Sequence, residues 1–405
     1  MNKPCLLLAA ALLVPLAPLH AKTIAVGPGG VGVNAREALQ TALLDLKPGD
    51  TLVLATGRYV LDDGLSLDID GVTIDGTGPD KTILDFSGQK SAGEGLLVTS
   101  DDVVLRDFAV ENARGDAIKS KGADRIVYYN LRVEWTGGPK ETNGAYGIYP
   151  VSSTDVLIDK VVARGASDAG IYVGQSRNIV VRNSLAELNV AGIEIENSYN
   201  ADVHDNVATK NTGGVLVFDL PDLPQMGGHS VRIFNNRIVD NSTPNFAPKG
   251  NIVASVPSGT GVMVMANRNV HVFGNTIGDN STANVMVVAY KRPFTDKTYN
   301  PLPRDVVVRD NTHGRSGWAP GFVGGDMLAK AMGGSIMPIF WDGAGGAAAT
   351  NIRVIDKVGV LTMGLPEPLT PIMDAKPAAV DLSKGAAIAE PARVVLPASM
   401  EAAIK

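Results

Sequence analysis

The stretch from Asp168 to Asn206, DAGIYVGQSRNIVVRNSLAELNVAGIEIENSYNADVHDN, writes one pattern twice. Gly170-Ile171-Tyr172-Val173 returns 22 residues later as Gly192-Ile193-Glu194-Ile195, and Asn183, closing VVRN, returns 23 residues later as Asn206, closing VHDN. The unit extends both ways. Its first strand reads AIKS from Ala117, GIYP from Gly147, GVLV from Gly214, GVMV from Gly261 and NVMV from Asn284. A second strand follows each, as in IVYYNLRV, VLIDKVVA, VRIFNNRI and VHVFGNTI. The interval from 117 to 147 is read as one unit with a loop, and that from 214 to 261, 47 residues, as about two units. Alternating apolar and polar residues mean half-buried strands, and several short strands in a period near 22 mean a solenoid. A leucine-rich repeat would need a leucine scaffold, whereas these units use Ile and Val with Gly and Asn at the corners. A right-handed parallel β-helix fits, an all-β solenoid in which each strand pairs with its equivalent one coil away.

The Asn set, Asn130, Asn183, Asn206, Asn236, Asn275 and Asn311 with Asp159 as a variant, is expected at coil corners. Asn tolerates a left-handed backbone there, and stacked amides hydrogen-bond from coil to coil. An amphipathic helix from Ala35 to Leu46, broken by Pro48-Gly49-Asp50, is expected to cap the open end. The solenoid is assigned residues 22–360, with an irregular Gly-rich stretch after Asn311. The Pro/Ala-rich tail, 361–405, is read as a loosely packed arm. Residues 1–21, with Lys3, an apolar run and Leu19-His20-Ala21, read as a cleaved signal peptide. That places the chain in the periplasm or outside the cell, with no membrane insertion after cleavage. Cys5, the sole cysteine, lies in that segment, so no disulfide supports the fold and a continuous core must do so. A net charge of −6 argues against nucleic acid as a partner.

KPGDTLVLATGRYVL and GVTIDGTGPDKTILDF resemble the N-terminal cap and first coils of the pectate-lyase-like superfamily. NGAYGIYPVSS, DAGIYVGQSRNIVVRN, NVAGIEIENS and NTGGVLVFDLP resemble one family within it, exported bacterial parallel β-helix repeat proteins. There is a more distant likeness to mannuronan C5-epimerases, polysaccharide lyases and the nitrous-oxide-reductase maturation β-helix protein. The resemblance implies a polysaccharide or oligosaccharide partner and, from its genomic company, an exported cytochrome as a further candidate. Its known chemistries are poorly matched: the motifs NTD, GHG, RIK and DPHD are absent.

If the residue after each Gly points inward, the next points out. Stacking then gives an outward column of Lys119, Tyr149, Tyr172, Glu194, Leu216, Met263 and Met286. Two residues on runs a parallel column of Lys121, Val151, Gly174, Glu196, Phe218, Met265 and Val288. The exchange of Tyr172 for Glu194 is then free, since the position faces solvent or ligand. Tyr149, Tyr172, Glu194, Glu196 and Asp219 are expected to form one ligand site under the insertion 219–229. Glu194, Glu196, Asp219 and Lys119 are the catalytic candidates. Glu194 and Glu196 sit about 6.6 Å apart along the strand. They are open to three readings: a catalytic pair, calcium ligands with Asp219, or solvated surface charges. His204 is read as a packing or surface residue, and His229 and His313 as loop residues. Met263, Met265 and Met286 are a covered apolar patch or a thioether patch for Cu(I). Two functions follow: a protein interacting with polysaccharide, as a divergent lyase, epimerase or hydrolase, or a non-catalytic binding scaffold linked to an exported redox or metal system.

Overall fold

The computed structural model describes residues 21–30, 34–91 and 93–404. The expected signal peptide lies outside them, apart from Ala21. Three strands per coil build three long sheets, of 12, 12 and 10 strands. Among the described residues the coil-to-coil pairings are parallel, and the last pair, Leu361 with Ala379, is antiparallel. In one coil the strands are Ala169–Gly174, Arg177–Arg182 and Leu185–Glu187. The third is only three residues long, too short for alternation to announce it.

The register settles the two intervals, 22 and 23. Tyr172 stacks on Glu194 and Arg182 on His204, each 22 residues on. Asn183 therefore aligns with Asp205, and both take a left-handed backbone (φ 52° and 55°). Asn206 is one residue further on and does something else. Its side chain belongs to a buried ladder in which Asn206 donates to Asn236, Asn236 to Asn275, Asn275 to Asn311 and Asn311 to Asp356, at 2.9–3.0 Å. The expected single Asn set thus splits. Asn130 and Asn183 turn the chain and donate to Asp107 and Asp159 of the preceding coil, whereas Asn206, Asn236, Asn275 and Asn311 form the amide ladder. A second ladder, Asn189, Asn211, Asn241 and Asn280, runs along another corner. The 47-residue interval is likewise corrected: Val215 pairs directly with Val262, so it is one coil carrying long insertions.

Inside the coils, stacks such as Ile171, Ile193, Val215, Val262 and Val285 are fully buried. The helix Arg36–Asp45 buries Leu39, Ala42 and Leu43. Gln40 bonds both the carbonyl and the amide of Ser66, at 2.9 Å each, on the edge strand Leu65–Leu67. An edge that would otherwise template aggregation is closed. The irregular stretch after Asn311 rejoins the solenoid, since Ile339–Trp341 pairs with Val285–Val287 and then with Val360–Thr362.

The tail is not a loose arm. Val394, Leu396 and Met400 are buried against Val127, Leu157 and Val180 on the outer face of the second sheet. Glu401 pairs with Arg182, and Glu390 with both Arg232 and Arg309. Sequence composition hid this, because the anchoring residues are scattered among Pro and Ala.

Asn236→Ala should cost about 2–4 kcal/mol, because it removes the acceptor of the buried Asn206 backbone amide and breaks the side-chain ladder on both sides. Asn200→Ala, at a corner, should cost under about 1 kcal/mol. Chemical denaturation of the two variants measures the contrast; equal losses would mean that the ladder holds nothing the corner does not.

Candidate active site

The outward columns have the expected register: Lys119 stacks on Tyr149, Tyr172 on Glu194, Glu194 on Leu216, and Leu216 on Met263. Their exposure is the correction. Tyr172 is 4% exposed, Glu194 1% and Glu196 9%. They point away from the coil interior and into a second apolar layer. Val253 and Val256, from the insertion after the third strand of one coil, and Tyr290 and Tyr299, from that after the first strand of a later coil, pack over Tyr172, Leu216, Met263 and Met286. Insertions carry no periodicity, so nothing in the residue pattern shows where they land. The exchange of Tyr172 for Glu194 is therefore not free, since each side chain sits in a specific buried setting.

Three tyrosines meet here. Tyr146, absent from the sequence expectation, lies 4.5 Å (ring centroids) from both Tyr149 and Tyr172, and those two are 4.9 Å apart, edge to face. The Tyr172 hydroxyl donates to Glu196 at 2.7 Å. A third carboxylate, Asp168, also missed, joins Glu194 and Glu196. It sits in the turn just before the strand Ala169–Gly174, and Asn251 of the long insertion donates to it at 3.0 Å. Arg292, from another insertion, donates to the carbonyls of Gly250 and Asn251 at 2.9 and 2.8 Å, fixing the loop over the carboxylates. Glu194 Oε2 is buried with no hydrogen-bond partner among the described residues.

Burial raises all three acids. Asp168 is pushed up to about 7 by burial against the pull of Asn251 and Tyr146. Glu196 is pushed to about 7 by burial and by the charges of Asp168 and Asp219, although the Tyr172 hydroxyl works the other way. Glu194 is raised well above the usual range by burial, then by Asp168 and Glu196. Buried acids that keep a proton near neutrality are competent general acids, and an ionised neighbour is a competent base.

Two candidates stand apart. Lys119 pairs with Glu94 at 2.9 Å and Asp116 at 3.4 Å and lies 4.8 Å over the Tyr149 ring, so its ammonium is spent on structure at the edge of the site. Asp219 accepts from the Gly227 and Gly228 amides at 3.1 and 2.8 Å and so pins its own insertion. Among the described residues no group of three or more His, Cys, Asp or Glu side chains is placed to hold a metal ion. Met263, Met265 and Met286 border an apolar cleft of about 430 Å³ with Tyr290, Phe322 and Phe340. His204 stacks on Phe234 at 4.7 Å, as a packing residue. His229 and His313, expected in loops, both lie on strands.

Two outcomes follow. Tyr172→Ala, expected to be mild at an exposed position, should instead cost roughly 3–5 kcal/mol as a buried aromatic truncation. The pH dependence has a definite sign. Asp168, Glu194 and Glu196 bind a proton more tightly folded than unfolded. Their stabilisation is complete below the unfolded values and is lost as pH rises through the folded ones, so stability should fall from about pH 4 to about pH 7, by up to about 1.4 kcal/mol per pH unit for each group titrating. Glu194→Gln should flatten that slope and raise stability at pH 8, read by denaturant titrations at each pH. A slope of opposite sign in this window would show the acids to be ionised in the fold.

Residues 70–243 match the family described as right handed beta helix region. No curated protein matches the sequence. Among solved structures, an Azotobacter vinelandii mannuronan C-5 epimerase A-module is 15% identical over 80% of this chain and 90% of that one, with a TM-score of 0.49. An alginate lyase from Paenibacillus sp. is 18% identical over 74% of this chain and 99% of that one, at 0.46. The catalytic unit of an α-1,3-glucanase from Streptomyces thermodiastaticus is 16% identical over 84% and 53%, at 0.47. No helix among the described residues is long and apolar enough to cross a membrane. Its three parallel sheets and its matching region give the chain the right-handed parallel β-helix fold.

Proposed function

We propose that the chain is an exported protein that takes a polysaccharide segment on the outer face of its first sheet and acts on it by acid–base chemistry. The carrying observation is Glu194: a buried carboxyl with an unpartnered oxygen, beside two further acids and three tyrosines. Aromatic rings offer the faces on which sugar rings stack, and carboxyls bond sugar hydroxyls. Glu194 is the proton donor in this reading. Asp168, when ionised, is the partner base, and Tyr172 holds Glu196 in place. Proton transfer of that kind serves glycosidic hydrolysis, β-elimination or epimerisation alike, and the product distinguishes them. Substrate entry requires the Asn251 loop to release Asp168, since the loop's contact closes the face.

The same closure supports the second reading, a binding scaffold without turnover, because the acids are shielded from solvent as the fold stands.

A panel of neutral and acidic polysaccharides, with and without calcium, separates the readings. Absorbance of unsaturated ends reports a lyase, reducing ends a hydrolase, and proton NMR of chains of unchanged length an epimerase. Retention without product reports a scaffold. Where turnover occurs, Glu194→Gln should lower kcat by 10²–10⁴-fold with the fold intact, the range for a lost general acid. An unchanged kcat would remove Glu194 from the chemistry.

A further inference from the structure

A second cleft, of about 560 Å³, opens on the other side of the insertion that follows Phe218. Arg177, Tyr199, Asp219, Gln225, Tyr299 and Arg304 line it. The second sheet supplies its floor through one stacked position: Arg177 pairs in register with Tyr199, Tyr199 with His229, His229 with Arg268, and Arg268 with Arg304. Planar groups therefore stack coil on coil. The Arg177 guanidinium lies 5.3 Å over the Tyr199 ring, and Tyr199 and His229 are 4.6 Å apart and nearly parallel.

The charge in this column is not compensated. Further along the same strands, guanidiniums are matched with acids: Arg182, five residues on, with Asp159 at 2.9 Å, and Arg232, three residues on, with Asp202 at 2.6 Å. Among the described residues, Arg177, Arg268 and Arg304 have no carboxylate within ion-pair distance. Arg304 Nε is buried without a hydrogen-bond partner. Burial, then the charge of Arg268, lowers the Arg304 pKa from its ordinary value, a strain that a bound anion would relieve. Asp219, on the cleft wall, and Asp305 act the other way on Arg304, but neither closes an ion pair on its guanidinium.

The wall opposite is fixed in advance. Tyr199 donates its hydroxyl to the Met226 carbonyl at 2.6 Å, Tyr299 to the Asp219 carbonyl at 2.6 Å, and Gln225 bonds the Asn197 carbonyl at 2.7 Å. A cleft with uncompensated guanidiniums and a pre-set polar wall loses little entropy on binding. We propose that this cleft is an oxyanion-binding site, for a carboxylate, sulfate or phosphate group on a small polar molecule of sugar-acid size, held by Arg177 and Arg304. It is separate from the Glu194 face and does not depend on turnover there.

Isothermal titration of the full mature chain tests it with glucuronate, sulfate, phosphate and, as the neutral control, glucose, in chloride of matched ionic strength. Glucuronate should bind and glucose should not. Binding of glucuronate alone assigns a sugar acid, and binding of sulfate or phosphate as well assigns the bare oxyanion. Arg177→Gln and Arg304→Gln should each weaken binding at least tenfold. Arg177 is exposed and makes a single side-chain hydrogen bond, to Gln225, so its variant keeps the fold. No response to any of the three anions, or affinities unchanged in both variants, would overturn the assignment.

Discussion

Parallel, in-register stacking of one coil on the next is the constraint on which the rest depends. Once the coils are locked about 4.8 Å apart, every residue has a fixed partner above and below it. An apolar position becomes an aliphatic column through the interior, and a buried polar position must find its hydrogen bonds along the stack. The Asn206–Asn236–Asn275–Asn311 ladder solves that problem. Each amide donates to the next side chain along the stack and to a carbonyl of the coil behind. The same rule explains why a guanidinium on the outer face is met by an acid one coil away, and why the three that are not so met stand out.

Stacking also determines where insertions can go. A coil cannot lengthen its strands without losing register, so extra chain leaves at the corners and folds over a face. The insertions after Phe218, Val239 and Val288 lie on the first sheet and make a second apolar layer outside the solenoid. Asp168, Glu194 and Glu196 owe their raised pKa values to that cover more than to one another, since burial is the leading cause for each. The site is thus made by the loops as much as by the strands that carry its side chains.

This division marks what the sequence could disclose. Strand direction, register and the outward set of Tyr149, Tyr172, Glu194 and Glu196 follow from a two-residue alternation repeated at a fixed period, and all are legible. Burial of those side chains is not, because it depends on Asn251, Val253 and Val256, which belong to no repeat. Asp168 and Tyr146 were readable in part. Tyr146 is the first residue of its strand and Asp168 the last residue before its own, but the alternation rule speaks only of strand interiors. The Asn residues are legible as a set, but that set joins two positions one residue apart. The mismatch between intervals of 22 and 23 was the signal that two positions had been merged.

The covered site raises a question of energetics that stacking itself answers. Three acids in an apolar layer would be costly if all were ionised, and the fold avoids that cost by holding them protonated near neutrality. A substrate that supplies hydroxyls would meet the open lone pair on Glu194, and a substrate that draws off a proton would leave a base among like charges, eager to recover it. In the absence of ligand the arrangement is held by the Asn251 contact with Asp168, the Tyr172 hydroxyl on Glu196 and the Arg292 clamp on the loop carbonyls. The surrounding coils supply the rigidity, so the loop can open without disturbing a strand pairing. A solenoid separates the two demands: the stack holds geometry to fractions of an ångström, and the corner insertions, which no register restrains, are left to admit the ligand.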